Sequence, residues 1–236
     1  MTNFVLVHGA WHGGWCWRDV ARTLRAAGHE VFTPTLTGLG DRIHLQNSHT
    51  DLSLHVQDIV NTIEYENLRN VVLCGHSYGG MVITGVADRI PERLDALVYL
   101  DAFVPEDGDS VFSLMPAERV QHFRDEAKTH GDDWLIPPVT AEFFGVTDPD
   151  KRKWVDDMCV PMALRAFEEP LKLSGRQREV QRKVYIIAAE YNPSAFHAYY
   201  ERFQKDPHWR THAMPCGHDA MAILPDELAA LLTGES

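Results

Sequence analysis

The chain has 236 residues, 44% of them hydrophobic and 24% charged, and its 22 Lys and Arg against 34 Asp and Glu leave a net charge of −12. The apolar fraction excludes a disordered chain, and the length suits one α/β domain able to bury roughly 70% of its unfolded surface. The acidic balance argues against nucleic acid or an anionic membrane as partner, since both need a basic footprint. No apolar run approaches the ~18 residues of a spanning helix.

The chain opens on an apolar run at residues 4–7 that reads as a buried strand, so no export signal is expected. Reduced thiols in a cytoplasm are therefore expected for Cys16, Cys74, Cys159 and Cys216, which are scattered without CxxC spacing. Trp17, Val20, Ala21 and Leu24 fall on one helical face, and Gly28 supplies a left-handed stop. A strand is predicted over 30–34. Val56, Ile59, Val60 and Ile63 repeat the helical spacing behind the capping candidates Asp51 and Ser53. Further strands are predicted at 70–74, 96–100, 183–188 and 210–214. These runs are nearly continuous in apolar residues, as in a parallel sheet covered by helices on both faces. Residues 107–182 break the rhythm. They show no convincing strand, but Asp148-Pro149 and Val160-Pro161 read as helix starts, so this stretch is predicted to be a helical insertion over one end of the sheet.

Residues 71–74 run into Gly75-His76-Ser77-Tyr78-Gly79-Gly80 and then into an apolar helix. This is G-x-S-x-G between strand and helix, where a tight turn lifts the serine hydroxyl above the sheet and needs small neighbours on either side. Ser77 is the candidate nucleophile. The loop His8-Gly9-Ala10-Trp11-His12-Gly13-Gly14 follows the first strand and offers a second backbone donor, so Ala10 and Tyr78 are the predicted oxyanion pair. That loop lacks GxGxxG and GK[ST], and the His8/His12 pair is a poor zinc site. His218, after the last strand, is the predicted base. His76 adjoins the serine but is expected to point elsewhere. The acid is open between two residues. Asp101 ends an otherwise apolar strand, where a carboxylate is costly unless paired. Glu190 follows the penultimate strand, where Asn192 reads as a helix cap before Pro193. Asp101 is favoured, although it could instead cap the loop after its strand.

These motifs resemble the α/β-hydrolase superfamily, and within it the small branch of plant methyl esterases, hydroxynitrile lyases and bacterial carboxylesterases. The likeness rests on the run from Phe4 through Trp17, the 75–80 elbow and Gly217-His218, and it is weakest in the insertion. It implies one domain over 1–236 with a mostly parallel six-stranded sheet, a helical cap at 107–182 and cofactor-free chemistry. Two departures separate the branches. The lyases carry threonine where this chain has Gly9, and lysine where it has Asp219; the esterases carry glycine at the first place. The acid common after the penultimate strand is missing, while certain haloalkane dehalogenases place theirs after the strand equivalent to 96–100, which supports Asp101. The expected activity is hydrolysis of a small, largely apolar carboxylic ester through an acyl-enzyme. Amide or carbamate hydrolysis is the alternative, and a hydroxynitrile lyase or slow-turnover receptor is disfavoured. Gly9, Trp11, Phe103, Trp134, Trp154 and Met162 are candidate substrate contacts, with Trp15 nearby. No metal is expected. The expected partner is a small molecule, with the protein a monomer or homodimer.

Overall fold

The computed structural model describes residues 1–191 and 195–235. Its strands are β1 (Asn3–Val7), β2 (Glu30–Phe32), β3 (Val71–His76), β4 (Leu94–Leu100), β5 (Leu135–Ile136), β6 (Met162–Ala163), β7 (Arg182–Ala188) and β8 (Trp209–Met214). The larger sheet has six strands in the order β2-β1-β3-β4-β7-β8. Every pairing in it is parallel. Its helices are α1 (Arg18–Ala26), α2 (Leu52–Tyr65), α3 (Gly79–Arg89), α7 (Phe196–Phe203), α8 (Ala220–Ile223) and α9 (Pro225–Gly234), with α4 (Ala117–His130), α5 (Pro149–Met158) and α6 (Arg165–Glu168) in the insertion.

The continuous apolar runs are explained by burial on both faces. Val5, Val7, Leu73, Leu97, Tyr99 and Ile187 point into a core shared with α2, α3 and the insertion. Their neighbours Phe4, Leu6, Val72, Cys74, Val98 and Ile186 point into the opposite core, shared with α1 and α9. Alternate residues thus serve two cores, and no polar face is left to show a period of two. The helix signals act as predicted at most points. Gly28, at φ +88°, ends α1. Asp51 caps α2 by accepting from the Leu54 N–H. Ser53 does not cap: its N–H and hydroxyl both donate to Glu169 of the insertion. Asn192 lies outside the described residues.

Two expectations for 107–182 fail. The stretch contains a strand pair, with β5 and β6 antiparallel and Ile136 opposite Met162. Val160-Pro161 leads into β6 rather than a helix, because the chain stays extended to pair with β5, and the Leu164 N–H then donates to the Trp134 carbonyl at 2.8 Å. Asp148-Pro149 does open a helix, with the Asp148 carboxylate accepting from the N–H groups of Asp150 and Lys151. Among the described residues no helix is long and apolar enough to cross a membrane.

Candidate active site

All the candidate groups stand at the carboxyl ends of the parallel strands. Ala10 follows β1, Ser77 follows β3, Asp101 follows β4 and His218 follows β8. This is where a parallel sheet presents its loops to a ligand.

The elbow explains its own glycines. A Cβ on Gly75 would lie 2.5 Å from the Gly79 carbonyl oxygen, and one on Gly79 would lie 2.8 Å from the Val7 oxygen. Ser77 between them takes φ +53°. That left-handed geometry costs a non-glycine residue about 1–2 kcal/mol. It is held by the Ser77 N–H donating to the Leu100 carbonyl and by the Ser77 carbonyl accepting from Gly80 and Phe103. The adjacent strand ends the same way, with Asp101 at φ +42° and its N–H donating to the Ile186 carbonyl. Two neighbouring strands therefore each close on a strained polar residue, and strain of this kind collects at functional sites.

Asp101 is fully buried, and both its oxygens are used. Oδ2 is 2.5 Å from His218 Nδ1, and Oδ1 accepts from the Ala188 N–H at 3.2 Å. Neither oxygen serves as a cap for the following loop. Glu190 is exposed, and among the described residues its carboxylate has no hydrogen bond or ion pair, although its N–H donates to the Cys216 carbonyl. The His218 ring stacks with Tyr191 at 4.7 Å and with Phe196 at 5.6 Å, and Phe144 lies at 5.4 Å. The imidazole is thus bonded to a buried carboxylate at one nitrogen and walled by aromatic rings.

His76, beside the serine in sequence, is bonded to the histidine loop. Its Nε2–H donates to the His218 carbonyl at 3.1 Å, and burial followed by the nearby His218 and His12 rings keeps its pKa well below the ordinary value. His8 is also neutral, pushed down to about 3 by burial. Its Nδ1–H donates to the Gly9 carbonyl and its Nε2 accepts from the Leu36 N–H. Tyr78 is tied back by its side chain: the hydroxyl donates to His55 Nδ1 at 2.9 Å, and His55 Nε2–H donates to the Thr37 carbonyl. Among the described residues the N–H groups of Ala10 and Tyr78 have no acceptor.

The predicted substrate contacts divide. Gly9 lies against the elbow, where a Cβ would come within 3.0 Å of Ser77 Cβ. Phe103 packs edge-on to Phe196 at 4.9 Å, beside His218. Trp11 packs among Phe123, Phe144 and Phe167 and donates from Nε1 to the Ile136 carbonyl, joining the β1 loop to the insertion. Trp154 is elsewhere. It is half-buried and meets Trp15 edge-on at 5.0 Å, with the Arg18 guanidinium over its ring. Met162 is fully buried in β6, and Trp134 is half-buried at the start of β5.

Sequence reasoning missed Tyr191, Phe196 and Phe144 around His218, because ring contacts between distant segments carry no local pattern. It also missed the way the insertion holds the histidine loop. The His218 N–H donates to the Phe144 carbonyl at 2.7 Å, and Gly145 lies against Gly217. A Cβ on Gly217 would sit 2.6 Å from the Phe144 oxygen. Gly217→Ala should therefore destabilise the protein by about 1–3 kcal/mol through overpacking. Thermal unfolding should show this as a Tm lower by roughly 2–10 °C, and an unchanged Tm would contradict the packing described.

Comparison with known proteins agrees with this architecture. The profile of an alpha/beta hydrolase family matches residues 4–231. A carbendazim hydrolyzing esterase from Nocardioides sp. (strain SG-4G) is 50% identical over 240 residues, covering 98% of each chain. Salicylic acid-binding protein 2 of Nicotiana tabacum is 29% identical over 256 residues, covering 98% of this chain and 95% of its own. Among solved structures, an extracellular alpha/beta-hydrolase from a Paenibacillus species superposes with a TM-score of 0.86 at 25% identity, covering 100% of this chain and 99% of its own. The chain belongs to the alpha/beta hydrolase family.

Proposed function

We propose that this hydrolase cleaves small, largely apolar carboxylic esters and carbamates through a covalent intermediate on Ser77. The observation that carries the reading is the 2.5 Å contact between His218 Nδ1 and buried Asp101, together with a serine held in left-handed geometry at the strand-to-helix turn. In the reaction, Ser77 Oγ attacks the substrate carbonyl carbon and its proton passes to His218 Nε2. The carbonyl oxygen becomes an oxyanion, held by the Ala10 and Tyr78 N–H groups. Asp101 keeps the ring in the tautomer whose Nε2 is free to accept, and supports the imidazolium that forms. As the tetrahedral adduct collapses, the leaving alcohol or amine takes the proton from His218. Water then attacks the acyl-enzyme with His218 again as base, releasing the acid and restoring Ser77.

Carbamates stand beside esters because the 50% identical relative is a carbendazim hydrolyzing esterase, and carbendazim is a carbamate. A small neutral substrate suits the aromatic wall around His218 and the acidic net charge of −12. Four unpaired cysteines suit a reducing, cytoplasmic setting. A panel of methyl esters, aryl esters, methyl carbamates, anilides and cyanohydrins tests the reading. Multiple turnover of esters or carbamates is the expected result. Cyanide release from cyanohydrins without ester cleavage, or tight stoichiometric binding without turnover, would replace it with a lyase or a receptor.

A further inference from the structure

Two histidines grip the back of the β1 loop. In a trans peptide the carbonyl and the following N–H point in opposite directions. His8 Nδ1, 2.8 Å from the Gly9 oxygen, therefore turns the Ala10 N–H away from itself. His12 acts one peptide later: its Nδ1 is 2.8 Å from the Ala10 oxygen, which sets the Ala10–Trp11 peptide and the direction of the Trp11 N–H. Trp11 sits at φ +64°. A tryptophan stays in that costly region only when its surroundings hold it there.

The other side of the His12 ring meets the loop that carries the candidate base. Nε2 is 3.2 Å from Oδ2 of Asp219, the residue after His218, and both side chains are buried. Both His12 nitrogens thus face oxygens, the Ala10 carbonyl and the Asp219 carboxyl, an arrangement that a doubly protonated, positively charged ring satisfies. Burial opposes that charge, but the adjacent Cys159 and Asp219 raise the His12 pKa well above its ordinary value. Asp219 Oδ1 has no hydrogen-bond partner among the described residues and lies 3.9 Å from His76 Nε2. A buried ion pair is a weak source of stability, and a carboxylate oxygen without a partner weakens it further. Its contribution here is geometric.

We infer that the buried His12–Asp219 pair is a positioning element that ties the oxyanion loop to the base-bearing loop, so that the donors and His218 are held as one unit. This rests on the roles proposed for Ser77, His218 and Ala10. His76 completes the tie from the elbow side through its bond to the His218 carbonyl. The sequence holds a faint trace of the arrangement, a carboxylate between His218 and the apolar residues 220–222.

The test compares wild type with Asp219→Asn, His12→Gln and the double variant, on an aryl ester and with a neutral phosphonate that labels the nucleophile. Each single variant should lose about 10- to 100-fold in kcat. KM should stay within about twofold, because the positioning acts on the transition state rather than on binding. The labelling rate should fall in parallel with kcat. The double variant should lose no more than the worse single variant, since both act through one pair. The double variant leaves neither charge in the core, so it carries the test if a single variant does not fold. Wild-type kcat in any folded variant, or losses that multiply in the double, would overturn the inference. If wild type is labelled at Ser77 while the variants behave like it, only the role of the pair falls. If wild type is not labelled at Ser77, the proposed function falls and the inference with it.

Discussion

Replacing Ser77 with alanine should lower turnover of p-nitrophenyl acetate by a factor on the order of 10⁶, leaving only what binding and the oxyanion donors supply. The protein should still fold. Alanine meets the same left-handed φ as serine, and the Ser77 hydroxyl makes no hydrogen bond among the described residues, so its removal leaves no buried partner unsatisfied. The change in stability should stay within about 0.5 kcal/mol. Steady-state kinetics alongside thermal unfolding checks both halves. Retained turnover in the folded variant would mean that the reaction runs through another group.

The second large effect separates the two candidate acids. Asp101→Asn should reduce kcat on the order of 10⁴-fold. An asparagine side chain fits the space, but its amide group cannot both accept from His218 Nδ1–H and supply the negative charge that stabilises the imidazolium. The Ala188 N–H that now donates to Oδ1 would also compete for the one remaining amide oxygen. Glu190→Gln should leave kcat within about twofold, since the Glu190 side chain is exposed and unpaired among the described residues. The two variants are read in one assay, with circular dichroism to confirm folding. A loss of orders of magnitude in the glutamine variant alone would move the acid to Glu190.

The candidate site is legible in the sequence where chemistry forces residue types into short spacings. Gly75, Ser77 and Gly79 occur together because the turn leaves no room for a Cβ on either flank. Asp101 stood out because it ends an apolar strand, and the structure gives both its oxygens partners in the core. The larger sheet was legible for a similar reason: strands buried on both faces leave unbroken apolar runs. What failed was short or distant. β5 and β6 are two residues each, too short to show any period, and Pro161 reads as a helix start because the pairing of the next two residues, Met162 and Ala163, with 135–136 is invisible locally. The His12–Asp219 contact joins residues 207 apart. The Phe144 carbonyl that holds the His218 N–H is a backbone group, to which the side chain bears no relation.

The central claim is that Ser77 forms the covalent intermediate. Reacting the purified protein with a neutral phosphonate, then measuring intact mass and mapping the modified peptide, tests it most directly. The account predicts one adduct per chain, located on Ser77, formed in step with loss of esterase activity and absent from Ser77→Ala. An adduct on another residue that tracks the loss of activity, or full inactivation with Ser77 unmodified, would contradict it.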